Sequence, residues 1–219
     1  MKKLIIFGAT DQGEVANYLF RHDSNYEPVA YTVDAAYIKK EYHNGLPVVP
    51  FEEVDRIYPP YEYDMFVALG YSQMNKIRAD KCKEAKIKGY KLAGYMSSKA
   101  ITWPDLLCGE NCFILEMNNI QPFVKIGDNV TLWSGNHIGH HTIVGDNTFI
   151  ASHVVISGRV SIGRNCFIGV NSTIRDKISV ADGCLISAGS LVMGDTEPNG
   201  VYMGNPAKKV EKNSGDIII

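Results

Sequence analysis

The chain has 219 residues, 45% of them hydrophobic, and 22 basic against 24 acidic side chains give a net charge of −2. This length allows one large domain or two small ones, and the balanced charge gives no basis for binding nucleic acid or a membrane surface. No apolar run reaches membrane length and no signal-peptide pattern follows Met1, so no membrane insertion and a cytoplasmic location are expected.

The first hundred residues alternate strand and helix. Lys3–Phe7 reads as an apolar strand that ends in the turn Gly8-Ala9-Thr10-Asp11-Gln12-Gly13, and a helical stretch continues to about Arg21. Pro28–Val33 is a second strand closing on Asp34, and Phe51–Ile57 is a short helix candidate. Asp64–Leu69 is a third strand running into Gly70, Ser72–Ile87 is helical and basic, and Lys91–Met96 is a fourth strand. Such alternation predicts a small Rossmann-like parallel sheet with helices on its faces, residues 1–100. Ligands of these sheets sit at the carboxyl ends of the strands, which here carry Gly8–Gly13, Asp34 and Gly70. The turn lacks GxGxxG spacing, which argues against dinucleotide binding.

From Cys108 to Val192 a single position recurs every sixth residue, occupied after the first cysteine only by Ile, Leu or Val: fifteen hexads without an insertion. Period six fits neither a helix nor a strand, but it fits a chain that turns a corner every six residues. Three hexads make one triangular coil, and such units must stack to bury a core. Five coils over residues 106–197 give a prism roughly 24 Å tall at a strand spacing of ~4.8 Å. The fifth position of each hexad is mostly small or β-branched, as in Val130, Thr148, Cys166 and Cys184, which suits a narrow interior. Cys166 and Cys184 lie eighteen residues apart, one full coil, and are expected to be stacked free core thiols. Residues 198–219 form a tail that contains Gly204-Asn205-Pro206-Ala207-Lys208 and ends in three isoleucines, which either cover an end of the prism or fray.

Four of the six histidines, His137, His140, His141 and His153, fall within seventeen residues, and His22 and His43 lie apart. His140 and His141 occupy the third and fourth positions of the hexad begun by Ile138, at a corner and facing outward. With an unperturbed pKa of roughly 6.5, histidine can accept a proton near neutrality. One coil above His140 stands Gly158, a small residue that leaves room for a slender ligand along the wall.

The hexads, the His140 region and the Gly204–Lys208 tail resemble the left-handed β-helix acetyltransferases. The Gly8–Gly13 turn resembles one branch of them, the bacterial sugar acetyltransferases with an N-terminal nucleotide-sugar domain. That branch includes the bacillosamine and perosamine N-acetyltransferases and the sialic acid O-acetyltransferase-like proteins. The resemblance implies a small α/β domain followed by a left-handed parallel β-helix of about five coils, assembled as a homotrimer. It implies acetyl-CoA as co-substrate, a nucleotide-linked amino sugar as acceptor for surface glycan synthesis, and no metal. It places the general base at His140, with His141 beside it. The coenzyme falls to Gly158, Ala188, Gly204, Pro206, Ala207 and Lys208, so that 198–219 is a coenzyme-contacting tail. The nucleotide falls to Gly8, Gln12, Gly13, Asp34 and Gly70.

The chain departs from the family in two places. Thr10-Asp11-Gln12 replaces the usual Ser-Gly-His of the turn, and His141 stands where a glutamate often orients the base. Asp146 or a group from a partner subunit is expected to replace that glutamate, unless an amine acceptor needs less help. Two other readings stay open. One is a sugar O-acetyltransferase of the sialic acid type. The other is a zinc-dependent γ-carbonic-anhydrase-like protein, because clustered histidines are also zinc ligands.

Overall fold

Two bodies make up the chain in a computed structural model that describes residues 1–217. The first comprises Met1–Gly70 and Ile77–Tyr95, and the second comprises Tyr71–Lys76 and the chain from Met96 onward.

In the first body a sheet of five strands has the order β3-β4-β2-β1-β5. Its elements are β1 (Lys2–Phe7), α1 (Asp11–His22), β2 (Tyr26–Val33), β3 (Tyr42–His43), β4 (Leu46–Pro50), α2 (Val54–Ile57), β5 (Tyr63–Val67) and α3 (Lys76–Ile87). β2, β1, β5 and β4 run parallel, and β3 folds back antiparallel on β4. Leu4, Ile5, Ile6, Met65 and Phe66 are almost fully buried, as a sheet covered on both faces requires. α1 buries Gly13, Ala16, Asn17 and Phe20, the one-turn spacing of a single helix face. Phe20 packs edge-on against Phe66 and Tyr26.

Three details differ from the sequence expectation. The β3–β4 hairpin is additional; it turns on Asn44-Gly45, both with positive φ (47° and 78°), the pair that a tight hairpin favours. The helix expected from Ser72 starts at Lys76, because Gln73, Met74 and Asn75 are all left-handed (φ 51–64°). The expected fourth strand, Lys91–Met96, adds only one bridge to β5, at Leu92 against Met65.

The second body is a parallel β-helix. Among the described residues, fifteen two-residue strands run from Leu107–Cys108 to Leu191–Val192 and stack into three parallel faces. The sixth-position residues from Ile114 to Val192 all point into the core and are at most 4% exposed. Cys108, in the open first coil, is exposed. The narrow interior holds hydroxyls by bonding each to a carbonyl fifteen residues on: Thr142 to Ser157 (3.1 Å), Thr148 to Gly163 (2.9 Å), Ser172 to Ser187 (3.0 Å). Cys166 and Cys184 are buried free thiols, and burial pushes the Cys166 thiol up to about 12.

Each corner contains a left-handed residue, and these recur every six positions: Asn111, Met117, Phe123 and Asn129, then His141, Asn147, His153 and Arg159. Asparagine tolerates this conformation well. At one corner Asn111, Asn129 and Asn147 also join side chain to side chain at 2.9 Å per step.

The three faces differ. An aromatic face carries Phe113, Phe149, Phe167 and Leu185, and the Tyr71–Lys76 segment lies on it. Tyr71 meets the rings of Phe149 (4.8 Å) and Phe167 (4.9 Å), and Asn75 donates to the Cys166 carbonyl at 3.1 Å. A glycine-lined face carries Gly109, Gly127, Gly145 and Gly163, where any Cβ would strike the coil above within 3 Å. The third, the histidine face, stacks Asn119–Ile120, His137–Ile138, Val155–Ile156, Thr173–Ile174 and Leu191–Val192.

The tail forms two further strands, Gly200–Met203 and Lys208–Asn213, which extend the aromatic face. Ile217 packs beside Met74, Leu185 and Val201 on the side of the prism, and Ile218 and Ile219 lie outside the described residues.

Candidate active site

His140 lies two residues past the strand His137–Ile138, at the edge of the histidine face, and His141 is the left-handed corner residue (φ 60°). Holding histidine in that conformation costs roughly 1–2 kcal/mol. Local bonds offset it: the His141 N–H donates to Pro122 O (3.2 Å), and its ring rests on Phe123 at 4.7 Å. The His140 N–H donates to Gln121 Oε1 (2.9 Å), and its carbonyl accepts from the Arg159 N–H (2.8 Å). Both rings are exposed.

The two imidazoles meet through Nδ1 atoms 3.0 Å apart, with ring planes at 89°. One nitrogen must donate and the other accept. If His140 donates, its Nε2 carries a free lone pair, the state that a general base requires. This is the part that a glutamate plays elsewhere. Asp146 does not play it: its Oδ1 accepts the Asp128 N–H (3.0 Å) and its Oδ2 faces Arg164 Nε (3.6 Å) at a different corner.

Gly158 lies directly against His140. A Cβ on Gly158 would sit 2.8 Å from His140 Cε1 and Nε2. The small residue therefore seats the imidazole.

Ala188 does not share a corner with Gly158. It follows Leu185–Ile186 on the aromatic face, packs its backbone nitrogen over Gly169 and precedes Leu191. The tail turn reaches the same place. Leu191 N–H donates to Gly204 O (3.0 Å), Ala207 N–H donates to Leu191 O (2.7 Å), and Gly204 N–H reaches Ser190 Oγ (3.3 Å). The turn contains Pro206 after a cis peptide bond and leads into Lys208. Leu191–Val192 is three strand steps from His137–Ile138 on one face, an axial run of roughly 14 Å at ~4.8 Å per step. The histidines and Gly158 occupy one end of this diagonal, and Ala188 with the tail turn occupies the other.

In the first body a cavity of about 520 Å³ opens at the carboxyl ends of β1 and β2, lined by Gly8, Thr10, Asp34, His43 and Lys81 among others. Lys81 Nζ donates to Asp34 Oδ1 and Glu84 Oε2, both at 2.8 Å. Burial alone would lower the Lys81 ammonium, but the hydrogen bonds to Asp34 and Glu84 win and raise it above the ordinary lysine value. Gly13 supports the pocket from behind; a Cβ there would lie 1.9 Å from Gly8 O. Gly70 sits in looser contact, 3.4 Å from Gln12 Oε1 by the same measure.

Sequence reasoning missed Phe123, which an eighteen-residue step down from His141 would have reached, and Gln121, which lies nineteen residues from His140. It also missed His43, which the hairpin carries into the cavity, and Lys81. Among the described residues no three His, Cys, Asp or Glu side chains converge within the chain to hold a metal. Among the described residues no helix is long and apolar enough to cross a membrane.

Comparison with known proteins agrees with this fold. The model for bacterial transferase hexapeptide repeats matches residues 123–158, and that for the hexapeptide repeat of succinyl-transferase matches residues 159–193. No curated protein sequence matches the chain. Among solved structures, the acetyltransferase domain of PglB from Neisseria gonorrhoeae FA1090 superposes with a TM-score of 0.85 at 23% identity, covering 96% of this chain and 100% of that one. PerB from Caulobacter crescentus, solved with CoA and GDP-perosamine, gives 0.84 at 21% identity over 96% and 98%. WeeI from Acinetobacter baumannii AYE gives 0.73 at 17% over 96% and 100%. At these identities the likeness is one of fold.

Proposed function

We propose that this chain, a hexapeptide-repeat protein with the fold of the PglB acetyltransferase domain and PerB, is an acetyl-CoA-dependent acetyltransferase that N-acetylates a nucleotide-linked amino sugar. The observation that carries the reading is the diagonal on the histidine face. A hydrogen-bonded histidine pair lies at one end, and the Gly204–Lys208 turn, fastened to Leu191, lies at the other.

In this reading the coenzyme spans that diagonal. Its thioester lies at His140, and its nucleotide end lies at Ala188, Gly204, Pro206, Ala207 and Lys208. The cavity at Gly8 and Asp34 receives the nucleotide of the acceptor; Gln12, Gly13 and Gly70 lie outside its lining, Gly13 packed against Gly8 and Gly70 beside Gln12. As the sugar amine attacks the thioester carbonyl, His140 Nε2 takes its proton. A positioned base of this kind contributes about 10²–10⁴-fold in rate. An amine is a better nucleophile than a hydroxyl and asks less of the base, which favours N- over O-acetylation when no carboxylate backs the histidine.

The reading includes a homotrimer with its sites between neighbouring prisms, so the mass in solution should be three times the 24.3 kDa of one chain. The decisive assay follows thiol release from acetyl-CoA with UDP-, GDP- and dTDP-linked 4-amino sugars and their hydroxyl analogues. Turnover of an amino sugar alone is expected. Turnover of the hydroxyl analogues alone would make the chain an O-acetyltransferase, and no release with any of them would sink the reading.

A further inference from the structure

The proposed chemistry leaves His141 in a place where a carboxylate could have steadied the base. A carboxylate accepts a hydrogen bond and stays charged, whereas an imidazole can also take the proton at one nitrogen and lose another at the far one. The Nδ1–Nδ1 contact of 3.0 Å puts His140 and His141 in position for this exchange.

Two neutral arrangements of the pair are equivalent in bonding. In one, His140 carries Nδ1–H with Nε2 bare, and His141 carries Nε2–H. In the other, the shared proton sits on His141 Nδ1, His140 carries Nε2–H, and His141 Nε2 is bare. The main chain of both histidines is fixed, His140 by Gln121 and Arg159 and His141 by Pro122, and the His141 ring rests on Phe123. His141 is exposed, so it has access to solvent. In the same corner column, by steps of eighteen, the charged residues are Asp105, whose carboxylate accepts the Phe123 N–H at 3.0 Å, and Arg159, Asp176, Lys177 and Asp195.

We propose that His141 is the proton outlet of His140, a positioning residue that passes to solvent, until the thiol leaves, the charge that His140 gains with the acceptor's proton. This rests on His140 being the base in the reaction above. The acceptor nitrogen forms its bond to the thioester carbonyl and gives its proton to His140 Nε2. The His140 Nδ1 proton passes to His141 Nδ1, and His141 Nε2–H is released to water. As the coenzyme sulfur leaves with the C–S electron pair, it takes the Nε2 proton of His140. In the same step the shared proton returns to His140 Nδ1 and His141 Nε2 regains a proton from water, so that neither ring becomes an imidazolate. The pair ends as it began.

The first test uses the protein alone. Long-range ¹H–¹⁵N NMR of the imidazoles should show one Nδ1–H shared between the rings near neutral pH. Both rings in the Nε2–H form, with no Nδ1–H signal, overturn the proposal.

The second test uses acetyl-CoA with the amino sugar nucleotide selected in the assay above. His141→Asn keeps a hydrogen-bond acceptor but cannot relay. Its single-turnover rate should fall about tenfold or more, and imidazole buffer, but not phosphate, should restore it. His141→Glu should restore the rate without imidazole. If His141→Asn is not slowed, or is slowed without responding to imidazole, the relay is wrong and the base assignment survives. If His140→Asn keeps the full rate, the base assignment fails and the relay falls with it, while the proposed function stands; if no amino sugar is turned over, the proposed function itself fails. The NMR result would still describe the pair.

Discussion

His140 and Gly158 fit together as a ring and its seat, since the imidazole fills the volume that any side chain at position 158 would occupy. Gly158→Ala should therefore act on the histidine before it acts on a coenzyme. A displacement of about 1 Å can cost about 10²-fold in rate, so kcat should fall by that order while the Kd for coenzyme A changes little. Calorimetric titration beside steady-state kinetics separates the two. A weakened Kd at unchanged kcat would show that the glycine serves the ligand instead.

His140→Asn keeps a polar side chain of moderate size at the corner but cannot accept the acceptor's proton. It should lower kcat about 10²–10⁴-fold and leave the assembly mass and coenzyme affinity unaltered. A nearly wild-type rate would transfer the base role to His141.

The two glycines behind the first-body cavity should respond differently. A Cβ on Gly13 would meet the Gly8 carbonyl oxygen at 1.9 Å, and backbone cannot swing aside, so Gly13→Ala should destabilise the domain by about 1–3 kcal/mol. Gly70→Ala meets only the flexible end of Gln12 at 3.4 Å and should melt close to wild type. Thermal unfolding of the pair decides it; equal losses would mean that Gly13 is not under the pressure described.

Tyr26 donates to Asp64 at 2.8 Å, and burial, then the hydrogen bond and charge of Asp64, push its hydroxyl up to about 12. A group whose folded pKa is raised adds stability that is complete below its unfolded value, here 10.0, and that fades as pH climbs through the folded value. Wild type should thus exceed Tyr26→Phe in urea midpoint at neutral pH, and the gap should close between pH 10 and about 12. A gap that is constant across this range would show that the phenol does not titrate as described.

The prism was legible because a core three strands wide accepts a branched residue at only one position in six. The same arithmetic in steps of eighteen brought Gly158 to His140 before any coordinates. Other features left weaker marks. Asn44-Gly45 signals a hairpin, but nothing in the sequence says that the hairpin delivers His43 to a cavity. The hydrogen bonds from Leu191 to the tail turn are main-chain bonds and leave no trace in residue identity. The imidazole contact depends on ring orientation, which spacing does not encode. Gln73, Met74 and Asn75 hide a left-handed stretch because none of them is glycine.

That stretch sets how the molecule can be taken apart and put together. Tyr71–Lys76 precedes the hexads by more than thirty residues, yet it lies on strands whose last members are made long after it. A gene trimmed to begin at Met96 would encode every coil and still release a protein with Phe149 and Phe167 stripped of Tyr71, a sticky surface prone to self-association. On the ribosome the lining is made first and must wait for the wall, and it closes only when the coil bearing Phe167 has formed.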